Sequence, residues 1–285
     1  MKLLNKGYIN ENYLNENYLN ENYLNEKHLN ESTWDIEDHI EDDNKESILT
    51  DIKKFIEDAY GINIKYCDLT FNKRKNKYIV NSRTNLTLNS KFDTLTNGLF
   101  EWNIVKGWFD CSESPIKTLE GAPKFVEGAF DCHSCRELTS LEGAPEKYCV
   151  VLDCSNCFKL ESLDGVPKIK ALQINCSNCP KITSLKGLPK KEIKGLHCPG
   201  CVNLTSLKGS PEKINGWFCC SGCPNLTSLK GSPKYVKMDF ECSNCPITSL
   251  KGAPDYIGGD FYCFECNLHS LDGIGKVGGR IFRDY

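Results

Sequence analysis

Long apolar segments are missing from this sequence. Its 285 residues contain no run of about 18 apolar residues, and the first residues, MKLLNKGYINENY, lack the apolar core of a secretory signal peptide. These absences argue against a membrane-spanning helix, a membrane partner and secretion by a conventional signal peptide. The 18 cysteines are therefore expected in a thiol-reducing compartment, not in the disulfide framework of a secreted protein.

Signatures of catalysis are also missing. No glycine-rich phosphate loop follows a strand and precedes a helix, and serine, histidine and aspartate recur at equivalent positions of a repeat instead of forming one singular cluster. Asp260, in GDFYC, belongs to such a repeat, so a solvated strand residue explains it better than an acid catalyst does. We expect a protein without enzymatic activity and without a cofactor.

The first 33 residues contain a five-residue repeat, NENYL, and are rich in acidic side chains. Five residues advance about 140° around a helix, so the tyrosines would spiral and form no apolar stripe, and on a strand they would alternate between faces. A pentapeptide β-helix is disfavoured because its small inward position would hold Asn12, Asn17 and Asn22. We predict that residues 1–33 form a disordered or extended arm, with ordering on a partner as the alternative.

Residues 34–94 are expected to form a cap at the N-terminal end of the fold. Apolar side chains at helical spacing predict one amphipathic helix over about residues 45–59, ended by Gly61. The segments INIKYCDLTFN and KYIVN then predict two strands joined by the basic turn KRKN, and NLTLNS predicts the start of a further ladder. The apolar residues of the helix are Ile48, Leu49, Ile52, Phe55, Ile56 and Ala59.

From Leu95 onward the chain is periodic. One leucine recurs at steps of 22, 22, 22, 22, 22, 21 and 21 residues, and a glycine follows each of these leucines two positions later. The leucines are Leu119, Leu141, Leu163, Leu185, Leu207, Leu229, Leu250 and Leu271. A period of roughly 20 to 29 residues indicates a solenoid, in which each coil buries its apolar side only against its neighbours. The returns between strands are too short for regular helices.

The repeating unit is V-x-G-x-F-x-C-S-x-C-(x)-x-L-T-S-L-x-G-x-P. Against the pattern L-x-x-L-x-L-x-x-N/C-x-L, Phe240 and Cys242 take the second and third leucine positions, and Cys245 takes the Asn/Cys position. Residues 45–285 therefore resemble leucine-rich repeat proteins. With SLEGAP or TSLKGSP beside FxCSxC, they are most similar to the short repeat proteins encoded by tailed phages and large DNA viruses.

This resemblance implies a mainly β, leucine-rich-repeat-like right-handed solenoid. We expect about nine coils of 21 or 22 residues behind an N-terminal α-helical cap, with the array covering residues 95–285 and ending in a half-coil. The resemblance brings no enzymatic activity with it. It implies an interaction scaffold located in the host cytoplasm or in a virus particle.

Seven Cys-x-x-Cys pairs recur once per coil: Cys132/Cys135, Cys154/Cys157, Cys176/Cys179, Cys198/Cys201, Cys220/Cys223, Cys242/Cys245 and Cys263/Cys266. Neighbouring pairs match the C-x2-C-x18-C-x2-C spacing of zinc sites, but the gap is simply the repeat period less the motif length. We interpret the pairs as a buried ladder. The first cysteine replaces an inward leucine, and the second replaces the asparagine that bonds the following turn.

Two alternatives to the buried ladder stay open. Zinc could bind between coils, because coils stack about 4.8 Å apart and thiolates of two coils could reach one ion. Disulfides or a redox relay are the other alternative, which a reducing compartment disfavours. The candidate zinc ligands are Cys132, Cys135, Cys154, Cys157, Cys176 and Cys179.

One residue per coil follows the inward phenylalanine or leucine of the strand and is predicted to face outward. This strip starts acidic and ends aromatic, and two tryptophans lie at the preceding outward position. We predict a contact surface for a protein partner, with ordinary surface residues as the alternative. The predicted contact residues are Trp108, Asp110, Asp131, Asp153, His197, Trp217, Glu241, Tyr262 and Phe282.

Charge is unevenly distributed, although the net charge is only −3. Residues 101–164 hold 6 Lys/Arg and 12 Asp/Glu, whereas residues 165–254 hold 13 Lys and 4 Asp/Glu. The x of SLxG follows this division: Glu120, Glu142, Asp164, then Lys186, Lys208, Lys230 and Lys251. Stacked lysines would form a basic stripe that attracts acidic protein. The arm, or the acidic half of another copy, is the nearest candidate.

These features predict a non-enzymatic scaffold for protein–protein interaction, with head-to-tail or arm-to-body self-association. Nucleic acid fits less well, because the acidic half would repel it and few aromatic residues interleave with the lysines. One alternative is a virion structural component that docks on neighbours through its arm. A zinc-binding or redox Cys-x-x-Cys protein is the alternative from a different class.

Removal of residues 1–33 provides the first test. The arm has no apolar face of its own, so its deletion should leave the melting temperature of the array almost unchanged while weakening assembly or partner binding. Thermal unfolding of the full and truncated chains measures the first effect. A truncated chain that fails to fold would show that the arm belongs to the core.

Overall fold

The computed structural model describes residues 42–96, 98–169 and 172–284. The predicted arm, residues 1–33, lies outside these ranges, as does the first part of the predicted cap. Residues Ile48–Tyr285 form one compact unit. Within the described ranges the chain is mainly β, with one α-helix, α1 (Asp42–Tyr60), and one turn of 3-10 helix at Ile64–Tyr66. No helix in these ranges combines the length and the apolar composition needed to cross a bilayer.

Helix α1 packs its C-terminal half into the core. Ile52, Ile56 and Tyr60 are fully buried, whereas Ile48, predicted on the same face, is 40% exposed. The helix stops where the sequence predicts, because Gly61 adopts φ +71° and its N–H donates to Glu57 O at 2.9 Å. Helix formation is thus driven by one short apolar face near the array.

The ladder sheet is the main sheet of the fold. Its ten strands are all parallel, one per coil, and together they span nine turns of a β-solenoid. The strands are β3 (Leu86–Thr87), β5 (Phe109–Asp110), β7 (Ala129–Asp131), β8 (Val151–Asp153), β9 (Gln173–Asn175), β11 (Gly195–His197), β13 (Phe218–Cys219), β15 (Phe240–Glu241), β17 (Phe261–Cys263) and β19 (Ile281–Arg283). The predicted solenoid with its spacing of about 22 residues is therefore confirmed.

A return sheet of very short parallel strands precedes the ladder sheet in the later coils. Its strands are β10 (Glu192–Ile193), β12 (Lys213–Ile214), β14 (Tyr235–Val236), β16 (Tyr256–Ile257) and β18 (Lys276–Val277). The sequence predicted only turns in these returns. Two-residue strands give no alternation to detect, and only the inward valine or isoleucine of each return marks them.

A cap sheet occupies the N-terminal end. Strands β1 (Cys67–Asn72) and β2 (Lys77–Ser82) form the predicted antiparallel hairpin, and β4 (Phe100–Val105) and β6 (Phe125–Val126) continue the sheet in parallel. Because β3 already pairs with β5, the ladder sheet runs on without a break across residues 94 and 95. The cap hairpin thus covers the first coil through hydrogen-bonded strands.

The core is a set of stacked columns, one side chain per coil. The ring centroids of Phe109 and Phe130 lie 5.6 Å apart at an interplanar angle of 5°, and those of Phe218 and Phe240 lie 5.1 Å apart. The repeat leucines from Leu119 to Leu250 are fully buried beside them. Identical side chains at equal spacing fill the interior without gaps, so each coil is stabilised mainly by its two neighbours.

The tightest contact between coils is at the SLxG glycine. All eight of these glycines have φ between +86° and +101°. A Cβ on Gly165 would lie 2.2 Å from Leu141 C and 2.3 Å from Glu142 N of the preceding coil. The position therefore needs glycine for two reasons: its left-handed backbone and the absence of room for a methyl group.

Gly165→Ala tests this contact. We expect the free energy of unfolding to fall by roughly 2 to 4 kcal/mol, because the substitution combines an unfavourable φ with a clash against backbone. Gly222→Asn is the matched control: Gly222 has φ +64°, the nearest atom to its Cβ is 3.8 Å away, and Asn156 occupies the equivalent position of another coil. Urea unfolding of both variants decides the matter. Equal stability of the two would contradict the steric argument.

Candidate functional site

The x residues of SLxG form an exposed ridge, hereafter the SLxG ridge, that runs along the coils. Each SLxG glycine lies against the Leu–x peptide of the preceding coil, so successive x residues are stacked directly on one another. The serine of SLxG fixes the local turn, since Ser140 Oγ accepts from Glu142 N at 3.1 Å and Ser206 Oγ accepts from Lys208 N at 3.1 Å. The ridge is thus a rigid row of charges on an ordered backbone.

All seven predicted charges of the SLxG ridge are exposed: Glu120, Glu142, Asp164, Lys186, Lys208, Lys230 and Lys251. Among the described residues, none of the seven forms an ion pair. Lysines elsewhere do pair within the chain: Lys159 with Glu137 at 2.6 Å and Lys181 with Glu161 at 3.0 Å. The SLxG ridge therefore carries charges that the chain itself leaves unneutralised.

The predicted contact strip on the ladder sheet is a single row. Strand register places each of its residues beside the equivalent residue of the next coil, from Asp110 and Asp131 to Tyr262 and Phe282. Trp108, beside this row, is 42% exposed. The rings of Tyr262 and Phe282 stack with centroids 4.9 Å apart at 4°, so the aromatic end of the strip is a continuous surface.

The prediction that Asp153 is exposed is wrong, because only 6% of the residue is accessible. Ser155 Oγ donates to its Oδ1 at 2.7 Å and Asn175 Nδ2 donates to its Oδ2 at 2.9 Å. Burial, followed by repulsion from Asp131 on the neighbouring strand, raises the pKa of Asp153. This carboxylate is held inside a polar network of the sheet surface and offers little to a partner.

His133 covers the acidic part of the strip. Its Nδ1 lies 2.8 Å from Asp131 Oδ1, and this hydrogen bond, with the nearby aspartates, raises the pKa of His133 to about 9. A raised folded-state pKa stabilises the fold below the unfolded value near 6.5, and this contribution is lost as the pH rises through 9. At neutral pH the positive imidazolium offsets part of the aspartate charge.

The middle of the strip is less exposed than predicted. His197 and Trp217 are half-buried, and burial lowers the pKa of His197. Among the described residues, His197 Nδ1 has no hydrogen-bond partner. Glu241, also half-buried, accepts from the thiol of Cys219 at 3.5 Å. The strip thus offers Trp108 and the Tyr262–Phe282 stack as its accessible contacts.

The cysteine ladder is buried and hydrogen-bonded. All 18 cysteines are free thiols, and only Cys266 is half-buried. In every coil the thiol of the second cysteine donates to the carbonyl of the first cysteine of the preceding coil, as Cys157 does to Cys132 O at 3.2 Å. The same bond is made by Cys135, Cys179, Cys201, Cys223, Cys245 and Cys266.

These bonds run opposite to the predicted direction, which was towards the following turn. The reason lies in the ladder sheet, whose N–H groups bond the carbonyls on either side of the first cysteine. Cys111 N donates to Asp131 O and Glu113 N to His133 O, and neither reaches Cys132 O. A buried carbonyl without a donor is costly, and the thiol of the next coil supplies that donor.

Burial suppresses the reactivity of most of these thiols. It raises the pKa of Cys135 and Cys149 to about 12, so neither is a thiolate at neutral pH. Cys266 differs: a hydrogen bond involving the Cys242 thiol lowers its pKa. Among the described residues, no three His, Cys, Asp or Glu side chains are grouped so as to hold a metal ion.

One surface was missed by the sequence-based prediction. On the outer side of the return sheet, the rings of Tyr235 and Tyr256 stack with centroids 4.9 Å apart, and Lys213 Nζ lies 5.2 Å from the Tyr235 centroid. Phe125 and Tyr148 form a similar stack at 5.1 Å in earlier coils. The residue two before each SLxG-following glycine varies in type, so only recognition of the second sheet could have revealed this row.

Replacement of Cys176 and Cys179 by Ala tests the ladder. Lost packing, and for Cys179 a lost bond to Cys154 O, should cost about 1 to 3 kcal/mol of unfolding free energy per residue. Cys179→Ser should retain more stability because its hydroxyl can still donate. Chelator should have no effect on thermal unfolding. Stoichiometric zinc in the purified protein, or a large fall in Tm with EDTA, would overturn the packing role.

Comparison of the chain with protein-family models, with curated proteins and with solved structures finds no match. The exposed SLxG ridge, the strip on the ladder sheet and the buried cysteines are therefore the features from which a function has to be inferred.

Proposed function

We propose that this protein is a non-enzymatic repeat scaffold for protein–protein interaction. The observation that carries the proposal is the SLxG ridge, in which seven exposed charges are held in one row and remain unpaired within the described chain. An ordered backbone presents them, so binding would require little loss of conformational freedom. Buried thiols and a stacked core give this surface its rigidity.

The clefts of the described residues favour binding over chemistry. A cleft of about 590 Å³ beside the first coils is lined by Glu113, Arg136 and Glu137 together with serines and a proline. None of its lining residues is a cysteine or a histidine that could act as a nucleophile or its base. Extended outer faces, not a concave site, are the main surfaces that the coils present.

The proposed partner is a protein with an acidic surface, and a second copy of this chain qualifies. The basic half of the SLxG ridge would attract either the acidic arm or the acidic half of another copy. The resemblance to phage and viral repeat proteins places the proposed setting in the host cytoplasm or in a virus particle. A virion component that docks through its arm is the variant of this proposal in which the arm is the main contact.

Charge reversal of the basic half tests the proposal. The triple variant Lys186→Glu, Lys208→Glu, Lys230→Glu should abolish self-association that wild type shows at low salt, and wild-type association should weaken as salt increases. Light scattering over a range of salt concentrations measures both effects. Circular dichroism and Tm should not change, because all three side chains are exposed.

The matched control reverses three lysines of the same type at exposed positions away from the ridge, Lys53, Lys54 and Lys91. It carries the same change in net charge and should associate as wild type does. Wild type that remains monomeric at low salt, with the triple variant indistinguishable from it, would refute self-association.

A further inference from the structure

The order of charges along the SLxG ridge has a symmetry of its own. Three acidic rungs, Glu120, Glu142 and Asp164, are followed directly by three basic rungs, Lys186, Lys208 and Lys230. The midpoint lies between Asp164 and Lys186. Turning the row end for end about this point places an acid opposite every base and a base opposite every acid.

The coils give both halves of the row the same spacing. Each SLxG glycine contacts the Leu–x peptide of the coil before it, from Gly143 on Leu119–Glu120 to Gly252 on Lys230. Coils in such a stack repeat every ~4.8 Å. Two copies of the row therefore match rung for rung when they lie antiparallel, whereas an unrelated polyanion has no reason to share this spacing.

We propose that two copies of the chain form a two-fold symmetric dimer through antiparallel SLxG ridges. This inference rests on the proposed function and names its partner. Asp164 pairs with Lys186 of the second copy, Glu142 with its Lys208 and Glu120 with its Lys230. Two-fold symmetry repeats each of these pairs, so six ion pairs form from three kinds of contact.

The chain supplies no competing partner for these charges among its described residues. Lysines and acids at other repeat positions neutralise one another within the chain, as in the Lys159–Glu137 and Lys181–Glu161 pairs. On the SLxG ridge, Asp164 accepts only from Ser162 and from its own backbone N–H through that serine. Exposed ion pairs are individually weak, so the dimer is salt-sensitive and depends on all six acting together.

An antiparallel dimer differs from the other arrangements that charge attraction allows. In a parallel, staggered contact, Asp164 would face Lys230 of the next copy and Lys186 would face Glu120. In arm-to-body binding, only the lysines would take part. The three arrangements therefore respond differently to exchanging the charges of residues 164 and 186.

The decisive experiment is a charge swap measured by sedimentation equilibrium at low salt. Asp164→Lys alone and Lys186→Asp alone should each weaken the dimer roughly tenfold or more, since each change occurs twice in a symmetric dimer. The double variant should return to within about twofold of wild type, because Lys at 164 then meets Asp at 186 of the partner. In the staggered arrangement the double variant would be weaker than either single variant.

Lys251→Asp is the matched control. Lys251 is exposed at the same repeat position, but it lies one rung beyond the six that the two-fold axis relates. Its reversal should leave the dissociation constant within about twofold of wild type. Weakening equal to that of Lys186→Asp would show that the basic half acts as a whole, as for an arm, and would overturn the two-fold pairing.

Zero-length carbodiimide cross-linking gives a second, independent readout. Glu120 and Lys230 are five rungs apart, roughly 24 Å within one chain, so a bond between them can form only between copies. The two-fold dimer yields this cross-link, and the staggered arrangement yields Glu120–Lys186 instead. If wild type associates but gives neither the charge-swap rescue nor the Glu120–Lys230 product, this inference fails while the proposed function stands. If wild type does not associate at all, both fail.

Discussion

The contact of each coil with the peptide below it, at the SLxG glycine, sets the dimensions of the whole array. Gly165 leaves no space for a Cβ above Leu141 and Glu142, so adjacent coils approach as closely as backbone allows. This contact fixes the vertical spacing of every column at once. The stacked phenylalanines, the thiol-to-carbonyl bonds and the charged ridge all repeat with the period that the glycine imposes. A wider spacing would break the ladder-sheet hydrogen bonds as well.

Cysteine suits the turn of each coil because it meets two demands at one position. The site is buried among leucines, where a small polarizable side chain packs well, and it also faces a carbonyl that the ladder sheet leaves without a donor. An asparagine would bond that carbonyl but would bring further polar groups that need partners. The thiol is a weak donor, yet with one carbonyl to satisfy it is sufficient. Its chemistry is thereby committed to the fold, which explains why nearly all the thiols are protonated.

The periodic part of the fold could be predicted because a solenoid repeats its physical demands in the sequence. Steps of 22 residues, the glycine after each leucine and the inward phenylalanines led directly to the ladder sheet and its buried cysteines. Two things were out of reach. The return sheet consists of two-residue strands, too short for a detectable alternation, as at Lys213–Ile214. Asp153 is buried by Ser155 and Asn175, and its accessibility depends on register and side-chain direction, which no pattern in the sequence specifies.

The candidate surface was predictable in outline for the same reason, but its meaning required the structure. Sequence shows that Glu120, Glu142 and Asp164 precede Lys186, Lys208 and Lys230; it does not show that these six are exposed, that they lie directly above one another, or that other charges such as Lys159 are neutralised internally. In a compact fold, an order of charges along the chain has no simple spatial counterpart. A solenoid converts it into a row of equal spacing. A row whose sign reverses at its midpoint is complementary to itself under a two-fold rotation, so repeat architecture alone can turn a sequence pattern into a surface that recognises its own copy.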